Sequence, residues 1–347
     1  MRRLSAQYAF ITAFLKGQEA RCLSAEQLDE AVSRQTVNDM LEVLGTTDIG
    51  EYLAGEKIED FTGAERLLWR YLSKCIERLK QFNPPADISA VINIHTAKYD
   101  ILNIKIALRK ALTGDENASF IPLGHMAGKE VLEELAGAAS LLETADTVRR
   151  FSGLLPYASI LNAVKEKDER SSLDGELALE ARYTEERRSA FASVGDGAAL
   201  LAASELLVDL ANLQVLFRSV IRQRSTIIPE SFLKGGRVVS VGELREFLTL
   251  NPSEIAARLE RTPYNAIGRE IVKEFQKEKD VTAVDSVIGR EKLRLLKGIL
   301  SPLLFSPAAV LWYLFVKEAE AANLRMIFKA LFDGIPPAGI RTNLVAP

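Results

Sequence analysis

An acid, an asparagine three residues later and a basic residue six further on occur together three times along this chain of 347 residues. The copies are Asp100, Asn103, Arg109; Asp209, Asn212, Arg218; and Glu320, Asn323, Lys329. The asparagines are 109 and 111 residues apart. An acid–x–x–asparagine pair alone is common. Three copies at near-constant spacing, in matching apolar context, predict one unit used three times. The predicted units span residues 1–110, 111–220 and 221–347, joined in one compact pseudo-threefold assembly. An object of that kind is usually a scaffold or adapter.

The surroundings of the signature repeat as well. An amphipathic stretch precedes each copy, at residues 65–82, 173–194 and 284–300, and a Gly- or Pro-marked break follows it. After the first two copies come further shared breaks, Ile121-Pro-Leu-Gly124 and Ile228-Pro-Glu230. Short helices are predicted next over 129–142 and 238–250. Further helices are expected to open at Thr147-Val148 and Ser253-Glu-Ile255, while Asp48-Ile49 opens the matching helix of the first unit. Tyr157 and Tyr264 each follow a proline, and Ile58 takes the tyrosine's place in the first unit. Apolar spacing of three and four dominates and strand signals are scarce, so the expected fold is all-α.

Composition removes several classes of function. A formal net charge of -3 gives no electrostatic case for nucleic acid. Two cysteines, Cys22 and Cys75, make no disulfide framework and read as plain core or half-buried thiols. The two histidines, His95 and His125, have no ligand at metal spacing and read as surface or turn residues. Gly124 to Lys129 looks like a phosphate loop but has the wrong glycine spacing, and Glu130 stands where a magnesium-binding hydroxyl would be. It reads as a turn at the same repeat position as Gly235-Gly236. No catalytic, cofactor or metal site can be assembled. The uncharged segment 298–316 is long enough to span a bilayer. Pro302 and Pro307, each after a serine, instead predict a loop with two helix starts.

The segments 99–109, 208–213, 259–264 and 317–325, the last running into Gly334-Ile-Pro-Pro337, resemble the C subunit of V-type ATPases of the archaeal and bacterial type. That family is related to the d subunit of eukaryotic vacuolar ATPases. The resemblance covers the whole chain and is weakest before about residue 60. It implies a funnel of three helical units, with no active site of its own. It also implies a single-copy central-stalk adapter between the rotating shaft and the membrane proteolipid ring. Such an adapter sits peripherally on the cytoplasmic face and couples ATP hydrolysis or synthesis to H⁺ or Na⁺ transport. Read without the resemblance, the same repeats also suit a helical interaction scaffold unrelated to rotary ATPases. Ile58, Glu320 and Lys329 depart from the pattern of the other copies, so the three units are not expected to be equivalent.

Helical geometry sorts the signature. At about 100° per residue, the apolar positions one, four, seven and eight after each acid share its face. Asparagine falls at the edge of that face, and the basic residue points away. A carboxylate on an apolar face needs donors, and backbone N–H groups at a neighbouring helix start, or a tyrosine, are the expected ones. Two roles follow for Asp100, Asp209 and Glu320, either fixing helix packing or lining a central socket that touches the shaft. Arg109, Arg218 and Lys329 are expected as solvated or surface-paired charges, or as contacts to an acidic shaft tip or a ring loop. The uncharged stretch 302–315 is a candidate ring-facing surface.

Overall fold

The computed structural model describes residues 6–115, 118–164, 169–195, 197–222, 231–278 and 281–345. The predicted break at 228–230 and Asp196 lie outside them. Among the described residues there are seventeen α-helices and no strand. The chain opens with α1 (Ala6–Glu19), α2 (Ala25–Val32), α3 (Val37–Leu44) and α4 (Asp48–Leu53), then two long helices, α5 (Phe61–Gln81) and α6 (Ala86–Thr113). The same order returns in α7 (Lys129–Gly137), α8 (Leu141–Arg149) and α9 (Leu155–Ala163), then long α10 (Glu169–Ser193) and α11 (Gly197–Ile221). It returns again in α12 (Val241–Phe247), α13 (Pro252–Leu259) and α14 (Asn265–Glu278), then long α15 (Thr282–Leu300) and α16 (Pro307–Asp333). A short α17 (Ala338–Arg341) ends the chain. The three signatures lie on α6, α11 and α16.

The short helices have too few internal hydrogen bonds to persist alone, and their starts are fixed by side chains. Ser24 and Ser240 form capping boxes with Gln27 and Glu243. Asn251 does the same with Glu254, and Ser140, Thr36 and Thr47 cap α8, α3 and α4. These caps correct two predicted starts. Helix α8 opens at Leu141, so Thr147-Val148 lies near its end, and Asn251 rather than Ser253 caps α13. Only one of the two Ser-Pro pairs starts a helix. Ser306 caps α16 with Pro307 in its first turn, whereas Ser301 closes α15 and Pro302 sits in the turn between them.

Each signature helix buries its apolar face in the core of the following repeat. Ile101, Ile104, Ala107 and Leu108 of α6 pack with Leu135, Val148, Tyr157 and Leu179 from α7 to α10. Leu210, Leu213, Leu216 and Phe217 of α11 join Leu244, Ile255, Ile271 and Leu296 from α12 to α15. Ala321, Leu324, Ile327 and Phe328 of α16 return to the first repeat and pack with Leu28, Met40, Ile49 and Leu68 from α2 to α5. The principal contacts between long helices follow the same order, α6 against α10, α11 against α15 and α16 against α5. The succession is closed, because the last long helix, α16, completes the first core.

The stretch 298–316 divides between the end of α15 and the start of α16, and residues 306–316 are buried. Of the candidate ring-facing segment, only the turn before α16 is therefore accessible, with Leu304 and Phe305 exposed and Phe10 exposed in α1. Helix α11 is long and apolar enough to cross a bilayer by length and composition. Its apolar face is already occupied by the α12–α15 core.

Candidate functional site

The three asparagines make the same pair of bonds. Asn103 donates Nδ2–H to the Ile121 carbonyl and accepts from the Ile121 N–H, both at 2.8 Å. Asn212 treats Leu233 alike, at 2.9 and 2.8 Å, and Asn323 holds Val345 at 2.7 and 2.9 Å. Each amide thus satisfies both polar groups of one residue in the segment after the signature helix. All three asparagines are buried rather than at the edge of the apolar face.

The acids, also fully buried, grip a backbone turn at the start of the next repeat. Asp100 accepts from the His125 and Met126 N–H groups at 3.0 and 2.8 Å, and from the His125 ring at 2.8 Å. Asp209 accepts from the Arg237 and Val238 N–H groups at 3.0 and 2.9 Å, and from the Tyr264 hydroxyl at 2.7 Å. A glycine lets the backbone come this close. A Cβ on Gly124 would lie 2.4 Å from Asp100 Oδ1, and one on Gly236 would lie 2.0 Å from Asp209 Oδ1. Gly124 also has φ +101, a conformation that side chains disfavour. Tyr157, at the repeat position of Tyr264, bonds Glu186 instead, at 2.5 Å.

Glu320 is held differently. It accepts from one backbone N–H, that of Leu23 at 2.7 Å, and its second oxygen lies 2.9 Å from the ammonium of Lys317. Lys317 is itself buried, 3.4 Å from Asp48, and faces the rings of Tyr71 and Tyr313. Burial works against its charge, but Glu320 and Asp48 outweigh that and hold the ammonium above the ordinary lysine value. The two cysteines flank this group. Burial pushes the Cys22 thiol up to about 12 and the Cys75 thiol to about 11, which leaves both protonated and inert.

The basic signature residues lie on the surface of the long-helix pairs. Arg109 makes a two-nitrogen contact with Glu176 of α10, and Arg218 pairs with Asp285 of α15. Lys329 pairs with Asp333 of its own helix and lies over the Phe61 ring of α5. The sequence reading missed a second polar position, five residues after each acid. Lys105 pairs with Glu180, Gln214 bonds Asp285, and Arg325 pairs with Glu65. Superposing the three copies of the signature makes that position visible.

A cavity of about 270 Å³ lies on the opposite side of the signature helices from the acids. It is lined by the residues two before each acid, Lys98, Leu207 and Glu318, together with residues of α10 and α15. None of the nine signature residues lines it. His95 and Phe315, each five before an acid, also line it, their rings 5.0 Å apart and edge to face. His95 is buried, which corrects its reading as a surface or turn residue. Its Nε2 lies 2.7 Å from Glu318 Oε1, which also accepts from Tyr99 at 2.7 Å and pairs with Lys98. Burial and then the Lys98 charge lower the His95 pKa. Burial opposes the Glu318 charge, but Lys98 and His95 hold that carboxyl well below the usual range. Among the described residues, no three His, Cys, Asp or Glu side chains are grouped to hold a metal ion.

Comparison with known proteins gives this geometry a context. The C subunit of the A-type ATP synthase of Methanocaldococcus jannaschii is 23% identical, over 98% of this chain and 87% of its own length. The C subunit of the V-type ATP synthase of Thermus thermophilus is 24% identical over 99% of this chain and its whole length. The C subunit of the V-type sodium ATPase of Enterococcus hirae is 21% identical, covering 92% of this chain and 93% of its own. The ATP synthase (C/AC39) subunit family matches residues 11–343, nearly the full span that carries the three signatures, and the chain belongs to that family.

Proposed function

We propose that this chain is the non-catalytic central-stalk adapter of a rotary V-type ATPase. In that role it links the rotating shaft to the membrane proteolipid ring, in one copy, peripherally on the cytoplasmic face. ATP hydrolysis or synthesis is thereby coupled to H⁺ or Na⁺ transport. The three repeats 1–110, 111–220 and 221–347 form a pseudo-threefold funnel around the α6, α11 and α16 cavity. The observation that carries this reading is the closed succession of cores, in which α16 completes the core of α2 to α5. A part that transmits torque must resist shear between its units. Interlocked cores provide that resistance, because no unit can leave without exposing the apolar face of its neighbour.

In this reading the signature residues have a packing role. Asp100, Asp209 and Glu320 are committed to internal donors, and the asparagines bind the intervening loops. Arg109, Arg218 and Lys329 stiffen the outer surface. The shaft enters on the side of the central cavity, and the exposed Leu304, Phe305 and Phe10 are the candidate contact with ring loops.

Size-exclusion chromatography with separately purified detergent-solubilised ring and shaft proteins tests the proposal. Co-elution with each, at one chain per ring, is the expected result. Binding to neither would leave a helical scaffold of another complex.

A further inference from the structure

The central cavity contains an unbalanced charge. Two carboxylates line it, Glu318 and Glu180. Glu318 is already taken by Lys98, His95 and Tyr99, and Glu180 by Lys105. Two further cations line the same space, Arg187 and Lys292. Arg187 is 8% exposed, yet among the described residues it hydrogen-bonds only neutral atoms of Ser204, its Nε to the hydroxyl at 2.9 Å and its Nη2 to the carbonyl at 3.4 Å. It also lies over the Tyr183 ring. No carboxylate among the described residues pairs with it, and half-buried Lys292 has no ion pair with any of them. Both act on Lys98. Burial pulls the Lys98 ammonium down; Glu318 opposes this, and Lys292 and Arg187 repel the ammonium further.

Buried arginines are almost always paired with an acid. An arginine has five N–H donors in a planar fork suited to a carboxylate, and Ser204 occupies only two of its nitrogens. The rest of the wall is largely apolar, with Leu102, Leu207, Leu311 and Phe315. We propose that this cavity receives a carboxylate carried on a short apolar stem, held by Arg187 and Lys292. The carboxylate comes either from a free short-chain acid or from an acidic side chain on an inserted partner segment. The second source rests on the adapter reading; the first does not.

The test has two arms, each on the full chain as wild type, Lys292→Gln and Arg187→Gln. Lys292 makes no ion pair among the described residues, so its variant keeps the test valid if Arg187→Gln fails to fold. In the first arm, pentanoate and uncharged pentanamide are titrated by calorimetry. Pentanoate binding that the amide does not reproduce, weakened about tenfold by Lys292→Gln, assigns a free-acid site; tenfold is the scale of one charge-assisted hydrogen bond. In the second arm, the affinity for the purified shaft is measured. A comparable loss in the variants, without pentanoate binding, assigns the side-chain source. Equal binding of pentanoate and pentanamide overturns the proposal. So does wild-type behaviour of both variants in both arms, or absence of binding in both. Pentanoate binding by a wild-type chain that ignores the shaft would sink the adapter reading and leave this one standing.

Discussion

The junction built on Asp100 and the one built on Asp209 resemble each other more closely than either resembles the junction at Glu320. In the first two, a short acid meets a turn that a glycine brings against it, and two backbone N–H groups point at the carboxylate. The gripped turn lies 25 to 29 residues further along the same chain. At the third, the gripped residue lies 297 residues from the acid in sequence. Asn323 holds Val345 of the C-terminal tail, while Glu320 reaches Leu23 near the other end of the sequence. If Leu23 is matched to Met126 and Val238, Arg21 stands where the other turns have glycine. One N–H is then lost, the acid is longer by one methylene, and Lys317 supplies the missing positive charge. The junction between residues far apart in sequence relies on a buried ion pair, where those between residues near in sequence rely on a backbone turn.

The largest effect is expected where that difference is greatest. Lys317→Met leaves Glu320 buried without a cation and should lower unfolding free energy by about 3–5 kcal/mol. Adding Glu320→Leu should restore most of it, since a buried pair replaced by apolar groups is often neutral or better. Urea denaturation of the two variants checks this, and equal instability of the single and double variants would refute the ion-pair account. The glycine junctions should break by crowding instead. Gly236→Ala should cost about 1–3 kcal/mol by forcing Asp209 away from its turn. Gly124→Ala should cost roughly 1–2 kcal/mol more because of its left-handed backbone. A further contrast concerns the asparagines. Asn103→Ala and Asn212→Ala each remove two buried hydrogen bonds and should cost about 1–3 kcal/mol globally. Asn323→Ala holds only a tail and should appear as faster amide exchange confined to residues 335–345, with a smaller change in the urea midpoint.

The helical class and the apolar face of each signature helix were legible in the sequence because periodicity encodes them directly. Every residue assigned to that face lies in a core. Which core was not legible. Spacing gives the direction of Leu213 from its helix axis, not that it packs against the following repeat. Short-helix starts went astray where several polar residues could cap. Ser140 and Asn251 win over Thr147 and Ser253 because each is followed three residues later by a glutamate whose N–H it accepts. The cavity was missed because its residues, His95, Lys98, Glu318 and Arg187, come from three separate helices and Arg187 lies outside the signature helices altogether. The positions two and five before each acid would have suggested it only after superposing the copies.

The two histidines sharpen the comparison at the smallest scale, because they titrate in opposite senses. The hydrogen bond that the His125 ring donates to Asp100 raises the His125 pKa, with burial and Lys80 acting against it. Protonated His125 therefore contributes stability that is full below its unfolded value near 6.5 and is lost as pH rises through the higher folded value. His95 has a lowered folded pKa, so the unfolded chain takes up its proton more readily. Its contribution is present above about 6.5 and is lost as pH falls. Since His125 is 46% exposed at its side chain, solvent screens its share. His125→Gln should reduce the urea midpoint at about pH 6 and converge on the wild type as pH rises above the raised folded value, while its remaining slope below about pH 6.5 keeps the sign set by His95. Neither the Asp209 nor the Glu320 junction has a histidine in this position, so no such convergence is expected for Tyr264→Phe. A Tyr264→Phe deficit that vanished over the same interval would mean that the pH response belongs to the carboxylates rather than to His125.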